Sequence, residues 1–276
     1  ANLELYNNDL PEYRYKFIKE DIRNRDALDY IFQTFKPDTV INFAAESHVD
    51  NSILKPNIFI ETNVLGTLNL LDTSITHNVS RFLQIGTDEV YGSLGSKGKF
   101  VEQTPLSPNS PYSASKASAD HLVNAYYKTF NLPTLITRCS NNYGPFQHKE
   151  KLIPLMINNI FKNKNLPVYG DGKNVRDWIY VKDHCEGIWA TLKFGLPGQT
   201  YNFGGDKELT NLDLIKKLLK IMNTSDSLIT FVEDRKGHDF RYSVDFSKAK
   251  KELGWSPQTR FEEGIKNTID WYSKNI

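Results

Sequence analysis

Phe82-Leu83-Gln84-Ile85-Gly86-Thr87-Asp88-Glu89 is the stretch on which the reading of the fold turns. Its apolar first half suits a strand, and its end sets two carboxyl groups side by side behind a hydroxyl. Further along stands Tyr112-Ser113-Ala114-Ser115-Lys116, a phenol and an ammonium four residues apart. That spacing puts both on one face of a helix that begins near Pro111. A nearby ammonium favours phenolate, so Lys116 is expected to bring Tyr112 into range as a general base near neutral pH. One base for a redox step, beside a separate carboxylate pair, points to oxidation coupled to elimination.

Outward from this stretch, strand and helix patterns alternate. The first plausible strand covers residues 15–19. Residues 23–35 carry helical spacing through Ala27, Leu28, Ile31 and Phe32, ended by Lys36-Pro37-Asp38. Thr39-Val40-Ile41-Asn42-Phe43 is a β-branched run with little alternation, which predicts a strand buried on both faces of a parallel sheet. Helical period returns over residues 57–74, a strand over 81–85, a helix over 110–130 and a strand over 134–139. This order predicts an α/β, Rossmann-like, doubly wound parallel sheet with helices on both faces. Ligands of such sheets bind outside the carboxyl ends of the strands. The loops at 44–47, 87–89 and 140–143 all follow strands and are expected to line one crevice.

After Gly144-Pro145 the elements become shorter and the loops longer. Helices are expected at 151–161, 183–194, 212–222, 247–253 and 261–272, with strands at 174–181, 200–203 and 229–232. The chain thus divides into residues 1–145 and a smaller α/β lobe over 146–276, some segments of which pack back on the first. The given residues open on the loop-like Ala1-Asn2-Leu3-Glu4-Leu5-Tyr6 and hold no G-x-G-x-x-G. A β-α-β unit of more than about 30 residues is therefore expected to be missing from the start.

Lys+Arg number 34 against 33 Asp+Glu, a net charge of +1, which argues against a nucleic-acid or membrane-surface partner. No apolar run approaches the roughly 18 residues of a membrane span, and no signal-peptide pattern opens the sequence. Cys139 and Cys185 lack C-x-x-C spacing, so reduced thiols in a cytoplasmic protein are expected. His48, His77, His121, His148 and His184 show no paired-ligand pattern, and no metal site is expected. Trp178, Trp189, Trp255 and Trp271 read as core or interlobe packing.

Blander readings compete locally. Tyr112 and Lys116 alone could be a surface pair. Asp88-Glu89 could be the acidic start of a helix, although Val90-Tyr91-Gly92-Ser93 reads poorly as one. Asn141-Asn142-Tyr143-Gly144-Pro145 is a good turn sequence. Gly86, Gly92, Gly95 and Gly98 mark a flexible loop over the site rather than a phosphate loop.

Y-S-A-S-K, N-F-A-A-E-S-H and the strand-end Thr87 resemble the extended short-chain dehydrogenase/reductases. More narrowly, T-D-E-V-Y-G, C-S-N-N-Y-G-P, E-K-L-I-P-L, R-D-W-I-Y-V-K-D-H and G-H-D-F-R-Y resemble the dTDP-glucose 4,6-dehydratases, in order from about Asp21 onward. The sequence departs from that pattern at Gly86 (usually Ser), Asn51 (usually Arg) and Phe240 (usually Arg), and in lacking the glycine-rich loop.

The resemblance implies NAD as cofactor, in the first lobe, and dTDP-glucose as substrate, in the second. It implies that Tyr112 takes the C4 hydroxyl proton, Lys116 holds phenolate and cofactor ribose, and Thr87 bonds the C4 oxygen. Glu89 would be the C5 base and Asp88 the acid for the C6 hydroxyl. Asp21, Ile22, Phe43, Ala44, Ala45, Thr62, Tyr112, Lys116 and Asn142 would contact NAD. Ser47, Thr87, Asn141, Glu150, Lys151, Arg176, Asn211, Arg235 and His238 would face the sugar nucleotide. Arginine's planar fork gives Arg176 and Arg235 a rationale of their own as diphosphate ligands. A homodimer through helices 57–74 and 110–130, and a product used for deoxysugars such as rhamnose, are also implied. The alternatives are another epimerase or dehydratase of the same fold, or a non-catalytic sugar-nucleotide-binding homologue.

Overall fold

The computed structural model describes residues 15–275. The opening loop expected over residues 1–6 lies outside them. In chain order the first half contains α1 (Arg25–Phe35), β1 (Thr39–Asn42), α2 (Val49–Leu54), α3 (Pro56–Phe59), a π-helical stretch (Ile60–Gly66) continuing into α4 (Thr67–Thr76), β2 (Arg81–Thr87), a 3₁₀ turn (Asp88–Tyr91), α5 (Pro111–Phe130) and β3 (Thr134–Cys139). The second half contains β4 (Asn141–Tyr143), α6 (Leu152–Phe161), β5 (Leu166–Tyr169), β6 (Val175–Tyr180), α7 (Val181–Phe194), β7 (Thr200–Phe203), β8 (Glu208–Thr210), α8 (Asn211–Ile221), β9 (Ile229–Val232), α9 (Ser247–Leu253) and α10 (Phe261–Asn275).

Local chemistry places the boundaries. Asn24 caps α1 by accepting from the Ala27 amide, and Lys36 closes it at φ 47°. Ser110 and Ser113 cap α5 reciprocally, with Pro111 in its first turn, where a missing N–H costs nothing. The order β1-β2-β3-β7 forms a four-stranded, all-parallel sheet. β7 comes from the second half, so later segments do return to the first sheet. Phe82, Leu71, Val123 and Ile136 fill one side of it, and Phe203, Ile179, Leu253 and Trp255 the other.

The smaller lobe combines β4 parallel to β6, β8 antiparallel to β6, and β5 parallel to β9. Ile153, Ile157, Leu214, Leu218 and Ile265 form its core. Trp178 and Trp255 are buried as expected, and Trp271 packs on Phe146 at 4.7 Å. Trp189 departs from the expectation: it is exposed, with the Lys193 ammonium 4.8 Å from its ring.

Other expectations are corrected. Residues 15–19 are mostly exposed and form no strand, having no described strand to pair with. β1 is not buried on both faces: among the described residues it pairs on one side only, with β2, and Thr39 and Ile41 are exposed. Asn141–Tyr143 is strand rather than turn, because pairing with Trp178–Tyr180 overrides its local turn chemistry. The glycine-bearing loop after Gly92 is tied down. Arg241 donates to the Gly95 and Gly98 carbonyls, while the Leu94 and Phe100 amides bond the Arg241 and Ser243 carbonyls.

Position 86 shows why glycine replaces the expected serine. A Cβ there would sit 2.6 Å from the Thr137 carbonyl oxygen of the neighbouring strand. Beside it lies a buried ion pair, Arg138 Nε to Asp120 Oδ2 at 2.8 Å, with Arg138 Nη1 donating to the Tyr91 hydroxyl at 3.0 Å. Arg138→Met would leave Asp120 buried and unpaired. It should cost about 3–5 kcal/mol, read as a lowered midpoint in chemical denaturation.

Candidate active site

β2 ends at Thr87, and the chain turns at once into the 3₁₀ helix. The Thr87 hydroxyl accepts from the Glu89 amide at 3.3 Å and donates to Asp88 Oδ1 at a long 3.4 Å. Asp88 and Glu89 therefore do occupy the first turn of a helix, the reading that the sequence made the weaker one. The turn is held by Val90 and Tyr91, which are buried against Phe100 and Ala117. It delivers the two carboxyl groups to different surroundings.

Glu89 reaches the wall of a cavity of about 590 Å³, a size that suits a small-molecule ligand. Ser47, Asn141, Glu150 and Lys151 line it on the side of the strand-end loops and the start of α6. Arg176, Asn211, Arg235 and His238 line it from β6, α8 and the loop after β9. The expected substrate set is thus brought together, except that Thr87 stands behind Glu89 rather than on the wall. The three strand-end loops share this crevice through Ser47, Glu89 and Asn141.

Burial pushes both carboxyl groups up, but not equally. Asp88 is held well above the usual range by burial first, then by the Glu89 and Asp177 charges, with Arg176 opposing. Glu89 is raised by burial and drawn back by Arg176, Lys151 and Arg235. The shift toward the neutral form is therefore stronger at Asp88, where Arg176 is the opposing cation, than at Glu89, where three cations oppose it.

The cations differ in what they have free. Arg176 donates to the carbonyls of Val175 (2.8 Å) and Asp239 (3.0 Å), stacks on Tyr242 at 4.4 Å, and makes no ion pair among the described residues. Arg235 instead grips Asp50 with both Nε and Nη2, the latter at 2.9 Å. Lys151 donates to the Ser47 carbonyl at 2.8 Å, and burial lowers its pKa. His238 bonds Asp234 at 2.7 Å.

The expected cofactor residues lie off this cavity. Tyr112 and Lys116 are buried on α5, yet they are not coupled as the sequence implied. Lys116 Nζ donates to the Ile85 carbonyl at 2.7 Å. Tyr112 is pushed well above the usual phenol range by burial, then by Glu89 and Cys139, with the Thr87 hydroxyl opposing. Phe43 is 59% exposed at the carboxyl end of β1, beside exposed Ala44 and half-buried Ala45. Ile22 packs against Gly66, half-buried Thr62 lies on the π-helical stretch, and Asp21 is held by Arg23 at 2.8 Å.

Three polar groups hold this region: Asn142, expected from the sequence as a cofactor contact, and Asn63 and His184, to which the sequence assigned no role. Asn63 occupies the π-helical stretch, where the extra residue turns it inward. Its side chain bonds the Glu46 amide (2.8 Å) and carbonyl (3.0 Å) and the Ser115 hydroxyl (2.8 Å), joining the loop after β1 to α5. Asn142 donates to the Ser140 carbonyl at 3.1 Å and to Cys139 Sγ at 3.2 Å, which leaves its Oδ1 to accept from His184 Nδ1 at 2.9 Å.

His184 is buried, and its pKa falls to about 4. Its folded pKa lies below the unfolded value near 6.5, so its stabilising effect is complete above 6.5 and is lost as pH falls towards 4. That loss should reach roughly 3 kcal/mol. The thermal midpoint of the wild type should drop more steeply between pH 7 and pH 5 than that of His184→Asn.

The described residues include no group of three or more His, Cys, Asp or Glu side chains that could hold a metal, and no helix long and apolar enough to cross a membrane.

Residues 1–268 match the family model for GDP-mannose 4,6 dehydratase. A dTDP-glucose 4,6-dehydratase of Xanthomonas campestris is 50% identical, over 94% of this chain and 79% of the relative. One of Escherichia coli is 46% identical over 99% of this chain and 82% of the relative. The crystal structure of DesIV, a dTDP-glucose 4,6-dehydratase from Streptomyces venezuelae with NAD and TYD bound, superposes with a TM-score of 0.96 at 46% identity, covering 99% of this chain and 83% of that one. The chain belongs to the nucleotide-sugar 4,6-dehydratases that the family model describes, and within them to the dTDP-glucose 4,6-dehydratase family.

Proposed function

We propose that this chain converts dTDP-glucose to dTDP-4-keto-6-deoxyglucose and water with the help of NAD, as a cytoplasmic homodimer supplying deoxysugars of the rhamnose type. The observation that carries this reading is the pair of carboxyl groups that the 3₁₀ turn after Thr87 places in different surroundings, Glu89 on the cavity wall with Arg176, Lys151 and Arg235, and Asp88 buried, with the buried Tyr112 phenol near Glu89. A 4-epimerase needs the phenol but neither carboxyl group. Exposed apolar side chains on the two expected dimer helices, Leu65 and Phe130, support the assembly.

The residues fit NAD at its nicotinamide end. Lys116 has three N–H donors and gives one to Ile85, which leaves two for a ribose diol. Exposed Phe43 offers an apolar face at the strand end. Tyr112, Lys116 and the neighbourhood of Asn142 would hold that end, and Asp21, Ile22, Ala44, Ala45 and Thr62 the rest. NAD, when bound, would supply the hydride acceptor for oxidation at C4 and the hydride donor for reduction at C6.

This chain's own side chains do the proton work. Tyr112 accepts the C4 hydroxyl proton while Thr87 holds that oxygen. The resulting ketone acidifies C5, whose proton Glu89 removes. Asp88 gives its proton to the C6 oxygen as the C6–O bond breaks, so water leaves, and the protonated Glu89 returns a proton to C5 once hydride has added at C6. Arg176, charged and without an ion-pair partner among the described residues, takes the diphosphate, helped by Lys151. Arg235 joins it by exchanging Asp50 for phosphate oxygens. Ser47, Asn141, Glu150, Asn211 and His238 fix the remaining hydroxyl groups and the base.

The reading divides the chain into a nicotinamide-binding part, residues 1–145 with β7, and a sugar-nucleotide part in the rest. Turnover of dTDP-glucose deuterated at C4 tests the reaction. Deuterium at C6 of a 4-keto-6-deoxy product is expected; product without it, or no product with NAD supplied, would refute the assignment.

A further inference from the structure

Asp88 has two carboxylate neighbours, and the reaction as described uses only Glu89. The second is Asp177, and strand register shows how it comes close. Thr87 of β2 pairs with Cys139 of β3, and Asn141 of β4 pairs with Trp178 of β6, both in parallel. The residues that follow the first pair are Asp88, which opens the 3₁₀ turn, and Ser140. The step before the second sets Ser140 beside Asp177. The row Asp88, Ser140, Asp177 thus crosses three neighbouring segments, and all three residues are at most 2% exposed.

Hydrogen bonding divides this row sharply. Asp177 Oδ1 accepts from the Lys207 amide at 2.8 Å and Oδ2 from the Gly205 amide at 3.1 Å. Burial raises the Asp177 carboxyl, and the backbone amides on both oxygens, together with the Lys99 charge, oppose this and favour the charged form. Asp88 has no such support: its Oδ2 is enclosed without a partner, and its Oδ1 has only the long bond from Thr87 among the described residues. The Ser140 hydroxyl is enclosed too. It stabilises the Asp177 charge without reaching the geometry of a formed hydrogen bond.

We propose that Asp177 is a positioning residue for the acid: acting through Ser140, it keeps the proton on Asp88 until the C6 oxygen of the sugar takes it. The inference rests on the reaction proposed above. The Ser140 hydroxyl donates to Asp177 and offers its lone pair to the Asp88 proton, so both enclosed oxygens gain partners by rotation. Asp88 is flanked by two anions, Glu89 and Asp177, with Arg176 as the opposing cation and Tyr112 and Cys139 as neutral neighbours. Ionising Asp88 early would add a third negative charge to this group. When the C6–O bond breaks, its electron pair leaves with the oxygen, which takes the Asp88 proton. Ser140 and Asp177 exchange no proton.

Infrared titration of the protein labelled with ¹³C-aspartate tests this without turnover. The wild type should show a carboxylic-acid C=O band at neutral pH that is absent from Asp88→Asn. In Asp177→Asn that band should titrate about one pH unit lower, as removal of a neighbouring like charge requires. Ser140→Ala should move it the same way, and it carries the test if Asp177→Asn does not fold. No acid band in the wild type, or a band that titrates at the wild-type pH in a folded variant, overturns the proposal. A wild type that makes no 4-keto-6-deoxy product would instead overturn the reaction, and the band would still report on Asp177.

Discussion

Tyr112→Phe should lower dehydration by about 10³-fold, in the middle of the range for losing a positioned general base. Substrate affinity, read by calorimetry, should stay close to that of the wild type. The substitution removes one oxygen and keeps the ring, which packs edge-on against Phe59 at 6.3 Å, so the fold loses little. The phenol is held above its ordinary range by burial, then by Glu89 and Cys139. Its base form is therefore scarce at neutral pH, and the wild-type rate should climb with pH through the alkaline range. The variant should lose that climb together with the rate. Turnover within tenfold of the wild type would remove the phenol from the proton chemistry.

Much of the fold was legible because its signals are local. The stop at Lys36-Pro37-Asp38, the apolar run from Phe82 to Ile85 and the helical spacing of α5 each mark their element without help from distant residues. The strand at Thr200–Phe203 could be read as a strand, but its place beside β3 in the first sheet could not, because pairing between residues as far apart in sequence as Ile136 and Thr200 leaves no local trace. β4, β5 and β8 span three or four residues each, too few for periodicity to show, and Pro167 disguises β5 further. The π-helical stretch reads as ordinary helix in sequence. Its purpose appears only when Asn63 is seen bonding Glu46 and Ser115.

The site was legible in composition more than in state. The expected sugar-nucleotide residues converge on one cavity, since strand-end loops of a parallel sheet share an edge. Protonation was not legible, because it depends on burial and on charges far apart in sequence. Asp88 feels Asp177, and Tyr112 feels Glu89 more than the lysine four residues away. Nor does sequence spacing reveal that Asp50 occupies the fork of Arg235 across 185 residues.

Glu89→Gln is the substitution that separates the two halves of the reaction. It should retain C4 oxidation and lose elimination by about 10³-fold, because the amide cannot accept the C5 proton. In a single turnover, absorbance of reduced nicotinamide should rise and persist, whereas in the wild type it should rise and decay. In deuterium oxide the wild type should wash deuterium into C5, and the variant should not. The substitution also removes the negative charge that raises both Asp88 and Tyr112, so both should ionise at lower pH. Oxidation should consequently reach its plateau at lower pH in the variant, an effect that loss of a merely structural group would not produce. Dehydration at near wild-type rate would sink the assignment of Glu89 as the C5 base. Loss of oxidation together with elimination would instead place Glu89 in substrate binding, beside Arg176 and Lys151.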